Sequence, residues 1–126
     1  MTRIFVVDDN PTLLHYLRSV LEQQDDWHVC NEAHNGREAV EMFPQIKPDL
    51  VVLDFQMPEM NGLEAARQII KISPDIPILM VSLYLSTQLA EEARKAGIKG
   101  ACAKSEIHCV VNAVEALLRE ETYFPN

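Results

Sequence analysis

Apolar residues along this chain alternate between two textures, short unbroken runs and longer stretches in which they recur every three or four positions. Ile4 to Val7 is a continuous run, as expected of a strand covered on both faces. Asn10-Pro11 then supplies an N-cap with proline at the first helical position, and Leu13, Leu14, Leu17, Val20 and Leu21 follow at helical spacing. Trp27 to Ala33 is a weaker strand signal, and Asn35-Gly36 opens a helix with Ala39, Val40 and Phe43 on one side, ended by Pro44 or Pro48. Leu50 to Leu53 predicts the next strand. After Gly62, Leu63, Ala66, Ile69 and Ile70 mark a helix, and Pro74 and Pro77 punctuate the return to a strand over Ile76 to Val81. Ser86 or Thr87 caps a helix running to Ala96, where Gly97 supplies the stop. Gly100 to Ala103 makes a short strand. Ser105 then caps an amphipathic helix with Ile107, Val110, Val111, Val114, Leu117 and Leu118 on one face.

Five repeats of strand then helix imply right-handed crossovers and a parallel sheet with helices on both faces, a doubly wound α/β domain of the (βα)5 kind. The 126 residues suit one such domain with one core. It is placed at residues 1–120, with residues 121–126 read as a tail leaving it or the start of a linker. No apolar stretch approaches the ~20 residues of a membrane span, and no basic segment followed by an apolar one opens the chain, so the expected address is cytoplasmic. Eleven Lys and Arg against nineteen Asp and Glu leave a net charge of −8, which opposes direct binding to nucleic-acid phosphates. Cys30, Cys102 and Cys109 lack a C-x-x-C spacing and read as buried free thiols, and the four histidines show no metal-ligand spacing.

Charge then gives the sheet a functional edge. In open sheets of this kind, ligands bind beyond the carboxyl ends of the strands. Asp8-Asp9 stand just past the first apolar run, Asp54 ends the third, Ser82 follows the fourth and Lys104 the fifth. Three carboxylates this close repel and raise one another's pKa unless a cation lies between them, and oxygen-only ligands favour a hard ion such as Mg2+. Asp54, the lone acid on its strand, is the candidate nucleophile toward a phosphoryl group, giving an acyl phosphate. Asp8 and Asp9 read as metal holders, with Lys104 and Ser82 placed to neutralise or donate to the transferred oxygens. The bland alternatives are acid capping the first helix and a solvated turn at Asp54. A haloacid-dehalogenase-like phosphatase would need a second acid two residues after the nucleophile, where this chain has Gln56. A flavodoxin-like cofactor binder would need a phosphate cradle where Asp8-Asp9-Asn10 would repel phosphate.

The same residues carry a family resemblance. V-V-D-D-N from Val6, D-F-Q-M-P-E-M-N-G from Asp54, V-S-L-Y from Val81 and A-G-I-K-G-A-C-A-K-S from Ala96 resemble the response-regulator receiver domain over Thr2 to about Arg119. The resemblance implies a flavodoxin-like strand order 2-1-3-4-5. It further implies that Asp54 accepts a phosphoryl group from a histidine kinase, a phosphotransfer protein or a small phosphodonor. Asp9 would ligate Mg2+ directly, Asp8 largely through water, and the backbone carbonyl of Gln56 would complete the protein ligands beside Asp54. Ser82 matches the switch hydroxyl and Lys104 the phosphoryl-pairing lysine. Pro58 and Gly62 match the loop after the phosphoacceptor, where glycine permits backbone geometry that other residues resist. Two positions depart from the family pattern. Ala101 stands where an aromatic residue usually lies three positions before the lysine, which removes the aromatic rotamer step of the switch. Leu83 replaces a small residue after Ser82, which is expected to narrow access to Asp54 and alter phosphorylation or hydrolysis rates.

The resemblance extends to regulators with a C-terminal helix-turn-helix DNA-binding domain, so DNA would be reached only through an output domain absent from this chain. A complete single-domain receiver, or a degenerate one acting as a protein-binding module without phosphorylation-dependent switching, fits the same residues. The expected role is a non-enzymatic switch that shifts population or self-association on phosphorylation. A two-fold dimer would use His15, Arg18 and Glu22 of the first helix or His108, Asn112 and Glu115 of the last.

Overall fold

The computed structural model of the protein describes residues 1–125. Five strands and five helices alternate: β1 (Thr2–Val7), α1 (Pro11–Leu21), β2 (Trp27–Ala33), α2 (Gly36–Ile46), β3 (Leu50–Asp54), α3 (Gly62–Ile72), β4 (Ile78–Ser82), α4 (Thr87–Ala96), β5 (Gly100–Ala103) and α5 (Ile107–Leu118). The strands form one parallel sheet in the order β2-β1-β3-β4-β5, as the resemblance implied. The chain passes from β1 outward to β2, then returns to the other side of β1 as β3. That reversal opens the crevice between the carboxyl ends of β1 and β3.

Successive side chains of a strand point to opposite faces, and both faces here are covered, which is why the strands read as unbroken apolar runs. Phe5, Val7, Val51, Leu53, Ile78, Met80 and Ala101 pack with α2, α3 and α4. Ile4, Val6, Leu50, Val52, Leu79, Val81 and Cys102 pack with α1 and α5. Helix starts follow their capping residues. The Asn10 side chain accepts from the N–H groups of Thr12 and Leu13, and Asn61 and Glu64 form a reciprocal capping box at the head of α3.

The differences from the sequence reading are local. Pro44 lies inside α2 and does not stop it. The helix continues to a left-handed Lys47 (φ 50°), with Pro48 beyond, so one missing N–H near the end is tolerated. β4 begins at Ile78, because the Ile76 N–H closes a turn onto the Ser73 carbonyl and Pro77 has no N–H to give a ladder. Ser105 does not cap α5. The Glu106 N–H bonds to the Ala103 carbonyl, so Lys104 and Ser105 form an extra turn and the helix starts at Ile107, with no side-chain cap. Cys30 and Cys109 are half-buried, and of the three cysteines only Cys102 is fully enclosed.

Of residues 121–126, read from sequence as a tail or linker, Tyr123 and Phe124 lie back against the domain, and Asn126 is outside the described residues. Tyr123 makes a short parallel bridge to Gly100, with the Ala101 N–H on the Tyr123 carbonyl at 2.9 Å and the Tyr123 N–H on the Lys99 carbonyl at 3.0 Å. The Arg94 guanidinium lies 4.3 Å from the centre of the Phe124 ring. The open edge of β5 is thereby partly paired.

Gly62 is required for space, and its φ lies outside the left-handed region. A Cβ there would stand 2.5 Å from the Asp54 carbonyl oxygen and 2.8 Å from the Phe55 Cα, both backbone atoms that cannot swing away. Gly62→Ala is therefore expected to destabilise the domain by about 1–3 kcal/mol, the usual cost of overpacking. Urea unfolding measures it, and an unchanged midpoint would mean that the β3–α3 loop yields freely.

Candidate functional site

All five chemical groups singled out along the chain meet at the carboxyl edge of the sheet. Asp8, Asp54 and Ser82 are buried, and Asp9 is exposed at the rim. Oxygens of Asp8, Asp9 and Asp54 lie within 4.8 Å of one another. The Lys104 ammonium reaches over the edge to Asp54 Oδ1 at 2.9 Å and Asp8 Oδ2 at 3.3 Å. Its backbone is held in reach because the Lys104 N–H continues the ladder onto the Ser82 carbonyl at 2.8 Å.

The remaining carboxylate valences are sparsely filled. The Asn10 N–H donates to Asp8 Oδ1 at 2.8 Å and the Gln56 N–H to Asp54 Oδ1 at 3.3 Å. Asp54 Oδ2 is buried with no hydrogen-bond partner, and Asp8 Oδ2 has only the ionic contact to Lys104. Buried polar atoms are nearly always paired, so two orphaned carboxylate oxygens facing the same crevice mark a place for a ligand. Three carboxylates against one ammonium also leave two negative charges unbalanced, which matches a divalent cation. The donors are all oxygen, as a hard ion requires.

Burial dominates the titration of both acids. It pushes the Asp54 carboxyl from 3.8 up to about 6; Lys104 pulls it back down and Asp8 adds repulsion. Asp8 is raised as well, chiefly by burial, against the Asn10 N–H and Lys104. For Lys104, burial acts downward, but the combined pull of Asp54 and Asp8 carries its ammonium above the usual value.

The Gln56 side chain has a place that the sequence did not disclose. Its amide donates to the Ser82 hydroxyl oxygen at 2.9 Å, and its carbonyl accepts from the Leu83 N–H at 3.2 Å. Ser82 in turn donates to the Tyr84 carbonyl at 2.9 Å. The hydroxyl is thus committed to a latch joining the β3–α3 loop to the β4–α4 loop, and its proton points away from Asp54. Leu83 is 56% exposed and Tyr84 82% exposed, so both present apolar surface to solvent at the rim. Ala101 is enclosed in the core layer beneath α4.

The molecule is thus a doubly wound α/β domain with an acidic crevice at its switch point, closed by a lysine. The chain belongs to the response regulator receiver domain family, whose model matches residues 4–115. It is 40% identical over 97 residues to chemotaxis protein CheY of Thermotoga maritima, covering 77% of this chain and 80% of that one. It is 36% identical over 100 residues to the transcriptional regulatory protein YdfI of Bacillus subtilis, covering 79% of this chain and 46% of that one. It also resembles the crystal structure of a two-component response regulator of the LuxR family from Aurantimonas sp. SI85-9A1. That likeness has a TM-score of 0.94 at 31% identity, over 98% of this chain and 89% of that one. Apart from the Thermotoga protein, these sequence relatives are spanned by the chain for only part of their length: 46% for YdfI and 23% to 56% for six others. Among the described residues no helix is long and apolar enough to cross a membrane.

The titration of Asp54 yields a stability test. An acid whose folded pKa is raised favours the folded state at low pH, and that contribution is lost as pH rises from about 4 through about 6. Asp54→Asn removes the buried charge, so at pH 7.5 in chelator the variant should exceed the parent by on the order of 1–3 kcal/mol. The gap should close below pH 4, and Mg2+ should stabilise only the parent. Urea unfolding across that range measures it; parallel pH profiles for parent and variant would show that burial does not tax Asp54.

Proposed function

We propose that this receiver domain accepts a phosphoryl group on Asp54 with the help of Mg2+, from a histidine kinase or phosphotransfer protein, and works as a cytoplasmic, non-enzymatic switch. The observation that carries this reading is the buried, half-partnered Asp54 carboxylate, with Lys104 on one oxygen and nothing on the other. Asp8, Asp9, Asp54 and the backbone carbonyl of Gln56 would hold the ion. When bound, Mg2+ would neutralise the oxygens of the donor phosphoryl group and draw it to the crevice.

An Asp54 carboxylate oxygen attacks phosphorus in line with the donor's leaving group. The P–O bond to Asp54 forms as the bond to the leaving group breaks, and the leaving group departs with that electron pair. Lys104 already stands against Asp54 Oδ1 and moves its charge to a phosphoryl oxygen as the acyl phosphate forms. Ser82 lacks a free proton while it donates to the Tyr84 carbonyl. To donate to the phosphoryl group its hydroxyl must turn, which breaks the bond to Tyr84; the Gln56 bond, accepted by the hydroxyl oxygen, is lost as well if that oxygen moves.

Release of that latch supplies a route outward. In this chain Ala101 leaves no aromatic ring to rotate, so the change passes to the β4–α4 loop with its exposed Leu83 and Tyr84. Leu83 at the rim also stands where it would slow a donor or water approaching Asp54. On the candidate dimer faces, His15, His108, Asn112 and Glu115 are exposed, whereas Arg18 is drawn to Glu32 at 2.9 Å and Glu22 accepts from the Val29 N–H at 2.9 Å. DNA would be engaged only through a separate output domain.

Incubation with acetyl phosphate and Mg2+ should add one phosphoryl group by intact mass, and Asp54→Asn should add none. No gain in the parent, with Mg2+ binding confirmed, would favour a phosphorylation-independent binding module. In sedimentation velocity with Mg2+, beryllofluoride should raise the mass of the parent toward a dimer and leave Ser82→Ala unshifted. A mass unchanged in the parent would remove the dimer switch.

A further inference from the structure

Behind the Lys104 turn lies a pair of thiols that the phosphoryl chemistry does not use. Cys102, on β5, is 1% exposed among Val110, Ala113 and Val114 of α5. Cys109, in the first turn of α5, is half-buried, and its sulfur stands 2.8 Å from that of Cys102. A disulfide bond is about 2.05 Å long, so small side-chain motion separates this contact from a covalent link. Cys109 also donates to the Tyr123 hydroxyl at 3.5 Å, which ties the pair to the returning tail.

Two contacting thiols often pack only as small apolar groups. Three features here go further. The pair links β5 to the first turn of α5, a helix start that no side-chain cap holds. Cys109 is half-buried and Cys102 lies fully enclosed beside it, an ordering that suits an attacking and a resolving cysteine. The two residues also bracket residues 103–108, and hence the turn that carries Lys104.

We propose that Cys102 and Cys109 are a reversible dithiol–disulfide couple that takes a peroxide as oxidant and locks the Lys104 turn when oxidised. Cys109, the less buried of the two, is oxidised first: it attacks the peroxide O–O bond, gains one oxygen as a sulfenic acid, and one water leaves. The Cys102 sulfur then displaces that oxygen as a second water and forms the S–S bond. Overall two thiols lose two electrons and two protons, and one hydrogen peroxide becomes two waters. A small dithiol reverses the step by exchange. Burial raises the Cys102 thiol well above its ordinary value, which leaves Cys109 as the thiol that meets the peroxide first. Oxidation also removes the hydrogen that Cys109 gives to Tyr123, loosening the tail from β5. The consequence for Lys104 chemistry rests on the phosphoacceptor reading, whereas the cross-link does not.

The test starts with the reduced full chain, treated with hydrogen peroxide while folded, then alkylated, denatured and digested with trypsin. Cleavage after Lys99, Lys104 and Arg119 separates residues 100–104 from 105–119. The expected product joins these two peptides, lighter by two hydrogens than their sum, is split by dithiothreitol and is absent in Cys109→Ser, while Cys30 remains alkylated. Both thiols fully alkylated, over-oxidation of Cys109 without a link, or links through Cys30 alone would overturn the couple. Amide exchange over residues 103–109 should slow several-fold in the oxidised form, and unchanged exchange would overturn the lock. Acetyl phosphate labelling of both forms separates the readings: no labelling in either state, with the cross-link present, counts against the phosphoacceptor and not against the thiol pair.

Discussion

The ion pair of Lys104 with two buried carboxylates, across strands that are far apart in sequence, is the interaction on which the rest of the site depends. Asp54 and Asp8 are enclosed because β1 and β3 are central strands, and the fold must compensate the cost of that enclosure. One lysine does so only in part, since it approaches both acids while an oxygen of Asp54 has no partner. A fully neutralised site would be more stable and would have no reason to bind anything. The residual negative charge destabilises the ligand-free domain, and on the proposed reading it is what a divalent cation would balance.

Most of the architecture was legible in the sequence because every strand is covered on both faces and every crossover contains a helix. Those two facts turn the chain into countable apolar runs and periodic stretches. Trp27 to Ala33 and Gly100 to Ala103 emerge with the bounds read from sequence. The misplacements fall where a backbone bond overrides a local preference. Ser105 is a good cap in isolation, yet the Glu106 N–H finds the Ala103 carbonyl first. Pro44 is a helix breaker by reputation, yet it sits late enough that Lys47 still closes the last turn onto Phe43.

The site was legible to the level of which residues converge, because acids and a lysine at strand ends have one edge to share. It was not legible in the connections that decide how the site behaves. Nothing in the type or spacing of Gln56 says that its amide reaches Ser82, or that its carbonyl takes the Leu83 N–H. Likewise, Cys102 and Cys109 share no redox-motif spacing, and only the packing of α5 on β5 brings their sulfurs together. Side-chain reach across elements is set by tertiary geometry, to which sequence spacing is blind.

On the proposed reading, Gln56 and Ala101 together would give a switch in this fold a different route. A ring beside the lysine turn would couple Ser82 to the outer surface through the space it vacates, whereas Ala101 fills that position with a methyl group already packed in the core. The latch from Gln56 through Ser82 to Tyr84 offers a different linkage, made of hydrogen bonds and not of moving volume. Such a linkage is stiff while intact and has no intermediate setting, since the Ser82 hydroxyl has a single proton to give. The loop it releases ends in Ser86, the N-cap of α4, so displacement of Tyr84 pulls directly on a helix start. On that reading, motion would reach α4, and through the Arg94–Phe124 contact the returning tail, without requiring the apolar layer around Ala101 to rearrange.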